Sequence, residues 1–172
     1  TSAYQCEGGW QEGNKGLSNW DDFCHSEKNN VNPVTGDISC DHYNRYEEDI
    51  IMLSKGGQNA YRFSIAWTRI IPDGIGEVNQ DGIDYYNRVI DTCRKYNVEP
   101  VVTLYHYDLP LKLFENGGWE NRDTAIAFAQ YAKVCFESFG KKVKYWLTIN
   151  EPNYETYCCY GRGNYPPNVQ DI

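Results

Sequence analysis

Acid–base chemistry on a neutral substrate needs a carboxyl at the edge of an apolar surface, with hydrogen-bonding groups around it. Glu151 has that setting. It follows the apolar run 144–150 (KYWLTIN), and Pro152 then restricts its backbone away from helix. At the rim of an apolar pocket a carboxyl can serve as a general acid near neutral pH. A helix N-cap or a surface acid is the alternative role. Asn150 beside it carries both a donor and an acceptor, suited to a substrate hydroxyl or to a strand-end turn. His106 ends the run 98–106 (VEPVVTLYH), with Asp108 two residues on. It could be an acid/base group, a metal ligand or a neutral hydrogen-bonder. Arg62 lies inside the run 59–67 (NAYRFSIAW). A buried guanidinium there needs a carboxylate partner, and the sequence shows no obvious one. Gln5 and Glu7 close a short opening segment.

Apart from Arg62, which lies within its run, these residues share a position, the C-terminal end of an apolar run. Residues 1–5 read as a strand already under way, and three further strands are expected at 59–67, 98–106 and 144–150. Helices are expected between them. The first starts at Asp41 as N-cap, carries Tyr43, Tyr46, Ile50 and Leu53 at helical spacing, and stops at Gly56-Gly57. A second spans about 80–96 with Ile83, Tyr86, Ile90 and Cys93 on one face. A third spans about 123–139 with Ile126, Ala129, Ala132 and Phe136 on one face. Residues 26–40 read as an exposed loop. Near-continuous apolar strands predict a parallel sheet covered on both faces, either doubly wound or part of a βα barrel. A complete barrel takes about 250 residues, and this chain has 172. In such a barrel the C-terminal strand ends form the active face.

Composition narrows the chemistry. The net charge is −8 and the pI near 4.8, against a nucleic-acid partner. No apolar run approaches the roughly 18 residues of a membrane helix. Fifteen Tyr and five Trp supply rings that can stack on a sugar and hydrogen-bond its hydroxyls, or simply fill a core. Seven cysteines include no CxxC pair, so zinc spacing is absent, and Asn-x-Ser/Thr is missing. A cytoplasmic location is the simpler expectation. No metal or organic cofactor is implied.

Several blocks together resemble glycoside hydrolase family 1, the β-glucosidase-like retaining glycosidases. They are Ala3-Tyr4-Gln5-Cys6-Glu7-Gly8, Asp41-His42-Tyr43, Tyr61-Arg62-Phe63-Ser64-Ile65-Ala66-Trp67, Thr103-Leu104-Tyr105-His106, Asp108-Leu109-Pro110, Gly117-Gly118-Trp119 and Leu147-Thr148-Ile149-Asn150-Glu151-Pro152. They run in family order along essentially the whole chain. The resemblance implies an α/β fold of (β/α)8 TIM-barrel type, here strands one to four with their helices, as one partial catalytic barrel over 1–172 cut at both ends. It implies Glu151 as catalytic acid/base, with Gln5, His106, Tyr107 and Asn150 as sugar contacts and Arg62 supporting the nucleophile. The family nucleophile lies in a Thr-Glu-Asn-Gly motif that this chain does not contain. At Tyr107 the family commonly has Trp, and phosphoglycosidase members often carry another aromatic. Pro152 points instead to an unphosphorylated β-glucoside or related oligosaccharide or aryl glycoside. A 6-phospho-β-glycosidase and an inactive, glycan-binding fragment are the alternatives.

Overall fold

The described chain, residues 1–26 and 34–168 of a computed structural model, winds helices around one parallel sheet. In order its elements are α1 (Ala3–Cys6), α2 (Asn19–His25), α3 (His42–Lys55), β1 (Ala60–Ser64), α4 (Trp67–Ile70), α5 (Gln80–Lys95), β2 (Glu99–Tyr105), α6 (Leu111–Glu115), α7 (Arg122–Phe139), β3 (Tyr145–Ile149) and α8 (Pro152–Glu155). A 3₁₀ turn at Gly118–Glu120 precedes α7, and a π-helical turn at Thr156–Gly161 follows α8.

Among the described residues the strands run β1-β2-β3, all parallel, with Arg62 opposite Val101, Ser64 opposite Thr103, and Tyr105 opposite Ile149. Parallel neighbours require crossovers, and α5 and α7 supply them. Each starts on an asparagine whose side chain accepts a backbone N–H: Asn79 from Asp81, Asn121 from Asp123. Register aligns the three C-terminal strand ends, so residues 106 and 150 emerge side by side. The Asn150 N–H donates to the Tyr105 carbonyl at 2.9 Å.

The core lies between the sheet and α5 and α7. The expected α5 stripe of Ile83, Tyr86, Ile90 and Cys93 is buried, joined by Tyr85 and Val89. On α3, Ile50 is buried and Tyr43, Tyr46 and Leu53 pack against the core.

Several expectations need correction. Residues 1–5 hold the short helix α1 rather than a strand, and the Ala3 N–H donates to Ser64 Oγ at 2.7 Å. The strand expected over 59–67 ends at Ser64, and Trp67 opens α4. The α7 stripe is turned. Thr124, Ala127, Tyr131, Cys135 and Phe139 are buried, while Ile126 and Phe136 are 52% and 45% exposed. Both sets have helical spacing, so periodicity could not choose between them. Tyr131 decides the rotation: its ring stacks on Trp67 at 5.0 Å, and its hydroxyl donates to the carbonyls of Ile65 and Leu104. Asp41 precedes α3 in left-handed backbone and makes no side-chain cap bond. Only β2 is well covered, since β3 leaves residues half-buried or exposed along its length. Of the loop expected at 26–40, residues 27–33 lie outside the described residues.

Candidate active site

The strand ends build the site. Arg62 projects from β1, His106 and Tyr107 follow β2, and Asn150 and Glu151 follow β3. Four of these side chains form one directed chain of hydrogen bonds. An Arg62 terminal nitrogen donates to Asn150 Oδ1 at 2.6 Å. Asn150 Nδ2 donates to the Tyr107 hydroxyl at 3.2 Å. That hydroxyl donates to Glu151 Oε2 at 3.2 Å. Arginine has no acceptor, so it fixes which end of the Asn150 amide faces it, and the NH₂ must then face Tyr107. Burial, partly offset by the Asn150 hydrogen bond, pushes the Tyr107 phenol up to about 12. The phenol therefore stays protonated, and a donor toward Glu151, at any physiological pH.

Backbone conformation aims this network. Tyr107 has φ 77° and Glu151 has φ 40°, both in the left-handed region that L-residues other than glycine seldom occupy. Such backbone persists where surrounding contacts hold it, and it concentrates at functional sites.

A cavity of about 320 Å³ opens beside the network, lined among others by Gln5, Trp20, Ser39, His106 and Tyr107. His106 is half-buried, and burial followed by the Arg62 charge lowers its imidazole to about 4. It is therefore neutral near pH 7. Its buried Nδ1 has no hydrogen-bond partner among the described residues. A neutral ring with an unused nitrogen suits a hydroxyl ligand. Among the described residues no His/Cys/Asp/Glu cluster is arranged to hold a metal.

The structure brings Gln5, His106 and Tyr107 to one cavity and joins Tyr107 to Asn150 and Glu151. Two expectations fail here. Arg62 is exposed rather than buried; its guanidinium bonds Thr103 Oγ1 and Asn150, and, as expected from the sequence, no carboxylate pairs with it among the described residues. Glu151 is also exposed, so the described residues do not make the expected apolar rim around it.

Glu7, which follows α1, and Asp108, which follows β2, turn inward. Arg69 is 1% exposed, and its Nε donates to Glu7 Oε2 at 2.7 Å. The Tyr86 hydroxyl donates to Glu7 Oε1 at 2.6 Å, and Arg69 also bonds the carbonyls of Gly8, Gly9 and Glu12. Among the described residues the buried guanidinium with a carboxylate partner is Arg69, whereas Arg62 is exposed. Sequence reasoning missed Arg69 although it stands between Trp67 and Ile70-Ile71, as apolar a setting as that of Arg62. It also missed Trp20 and Ser39 on the cavity wall, which carry no motif.

The profile of glycosyl hydrolase family 1 matches residues 1–172, and the chain belongs to that family. It is 49% identical over 172 residues to 1,4-beta-D-glucan glucohydrolase of Thermotoga neapolitana, covering all of this chain and 40% of that protein. It is 53% identical over 154 residues to beta-glucosidase 42 of Arabidopsis thaliana, covering 88% of this chain and 31% of that protein. Among solved structures it superposes on the family 1 β-glucosidase from Thermotoga maritima with a TM-score of 0.96 and 48% identity. That match covers 99% of this chain and 39% of the other, and the same enzyme is also known in complex with deoxynojirimycin. The chain thus has the fold of part of a (β/α)8 barrel and spans about two-fifths of the length of the Thermotoga relatives.

Proposed function

We propose that this protein is a retaining β-glycosidase acting on terminal β-linked glucosides, with Glu151 as acid/base. The observation that carries the reading is the directed chain from Arg62 through Asn150 and Tyr107 to the Glu151 carboxylate, set at aligned C-terminal strand ends. The β-glucosidase names of its relatives favour an unphosphorylated glucoside.

Glu151 would protonate the glycosidic oxygen as the bond to the anomeric carbon breaks. It would then take a proton from the water that hydrolyses the glycosyl-enzyme. Gln5, His106, Tyr107 and Asn150 would contact sugar hydroxyls, and neutral His106 can donate from one ring nitrogen and accept at the other. The retaining mechanism needs a second carboxylate about 5–5.5 Å from the first. That nucleophile would come from a segment outside residues 1–172 that completes the barrel, with Arg62 beside it.

The test is hydrolysis of an aryl β-glucoside by the full-length protein, following the product anomer by NMR. The expected first product is the β-anomer. An α-anomer would overturn the retaining mechanism, and full activity of E151Q on an alkyl glucoside would overturn the acid/base role.

A further inference from the structure

Cys6 and Cys40 lie in two segments packed backbone to backbone. A Cβ placed on Gly8 would meet the Ile38 carbonyl oxygen at 2.1 Å, and one on Gly36 would meet the Tyr4 carbonyl oxygen at 2.7 Å. Hydrogen bonds tie the segments on either side of the cysteines. Ser39 Oγ donates to the Gln5 carbonyl, and the Tyr43 N–H donates to the Glu7 carbonyl at 2.8 Å. Cys6 and Cys40 line the same surface cavity, of about 390 Å³, with Met52, Leu53 and Asp49. Of the seven cysteines Cys40 is exposed, Cys6 and Cys24 are half-buried, and the other four are buried. Burial raises the Cys6 thiol, and the neighbouring Cys40 thiol, as a charge and as a hydrogen-bond partner, adds to that rise.

We propose that Cys6 and Cys40 form a thiol–disulfide exchange site that takes small neutral or cationic disulfides. Accessibility sets the order of events. The Cys40 thiolate attacks one sulfur of R–S–S–R, forming a mixed disulfide, and the departing thiolate leaves as RSH with a proton from solvent. Cys6, more enclosed and slower to ionise, then loses its proton to solvent and attacks the Cys40 sulfur. The second RSH departs and the Cys6–Cys40 bond remains. Two protein thiols are oxidised and one external disulfide is reduced to two thiols. Asp41 and Asp49 flank the site, and the chain carries net charge −8, so an anionic disulfide is disfavoured. The bond would lock α1 to the turn before α3, next to Gln5 and Ser39 on the wall of the other cavity. This site stands apart from the proposed hydrolysis and needs no turnover to be seen.

The experiment treats the full-length native protein with cystamine, quenches with acid, and maps peptides by mass spectrometry without reduction. The expected result is a Cys6–Cys40 linked peptide, the loss of two titratable thiols, and reversal by dithiothreitol. C6S should stop at the mixed disulfide, holding one cysteamine on Cys40, and C40S should leave Cys6 unmodified. Glutathione disulfide should react at least several-fold more slowly than cystamine. A wild-type protein that retains the mixed disulfide on Cys40 overturns the proposal. So does a bond from either cysteine to a different partner.

Discussion

Replacing Arg69 by Met tests whether the buried ion pair beneath the site is held as tightly as its geometry implies. The guanidinium is 1% exposed, bonds Glu7 at 2.7 Å, and lies 4.2 Å over the Tyr43 ring. Met fills much of the volume but leaves the Glu7 carboxylate buried with, among the described residues, only the Tyr86 hydroxyl as hydrogen-bond partner. Removing one member of a buried pair costs about 3–5 kcal/mol. R69M should sit at the top of that range, because three backbone carbonyls lose their donor as well. E7Q keeps the side-chain shape and can still accept from Tyr86, so it should cost about 3 kcal/mol. The double variant R69M/E7Q removes both charges and should fall short of the sum of the singles by about 2 kcal/mol or more. Urea unfolding of the full-length protein, followed by its midpoint and slope, gives all three values. If R69M costs less than about 1 kcal/mol, or if the singles add within about 0.5 kcal/mol, the desolvation argument is wrong.

Further outcomes follow from the site. E151Q in the full-length protein should lose about 10²–10⁴-fold in rate on substrates with poor leaving groups, yet keep the first step on activated aryl glucosides, as pre-steady-state release of the phenol will show. Y107F removes the hydroxyl between Asn150 and Glu151 and should slow turnover about fivefold to tenfold, one hydrogen bond's worth; an unchanged kcat would deny that role. Burial, partly offset by the Tyr105 hydrogen bond, raises Glu155 to about 7, above its unfolded value of 4.5. Its contribution to stability is therefore full below pH 4.5 and is lost as pH rises through about 7, and E155Q should flatten the unfolding-versus-pH curve there. His106, lowered to about 4 from 6.5, has the opposite sign: its contribution is present above 6.5 and lost as pH falls toward 4, a slope that H106Q should remove.

How much of this was legible in sequence depended on what each residue's neighbours had to be. The strands at β2 and β3 showed themselves because their apolar runs end on polar residues, and the same rule placed His106, Asn150 and Glu151 at one rim. The face of α7 did not, because two stripes with equal spacing compete and the contact of Tyr131 with Trp67 comes from another element. The rule that a buried guanidinium needs a carboxylate was sound, but sequence cannot separate Arg62, whose side chain reaches the strand ends, from Arg69, which closes over Glu7 from 62 positions away. The role of Tyr107 as a bridge was also out of reach, since it depends on residues 43 and 44 positions distant meeting at one hydroxyl.

The left-handed backbone at Glu151 has a consequence for how such a chain changes over time. Glycine would occupy φ 40°, ψ 59° without the roughly 1–2 kcal/mol that a side chain costs there. A change from Glu to Gly would therefore remove the proposed acid/base group and relax the fold in one step. Selection for heat resistance alone pulls against the carboxyl, and a lineage released from the need for catalysis should lose this residue early while keeping Arg69 and Glu7. Libraries of the protein should be screened for turnover and stability together, because the most stable members will include those that have given up Glu151.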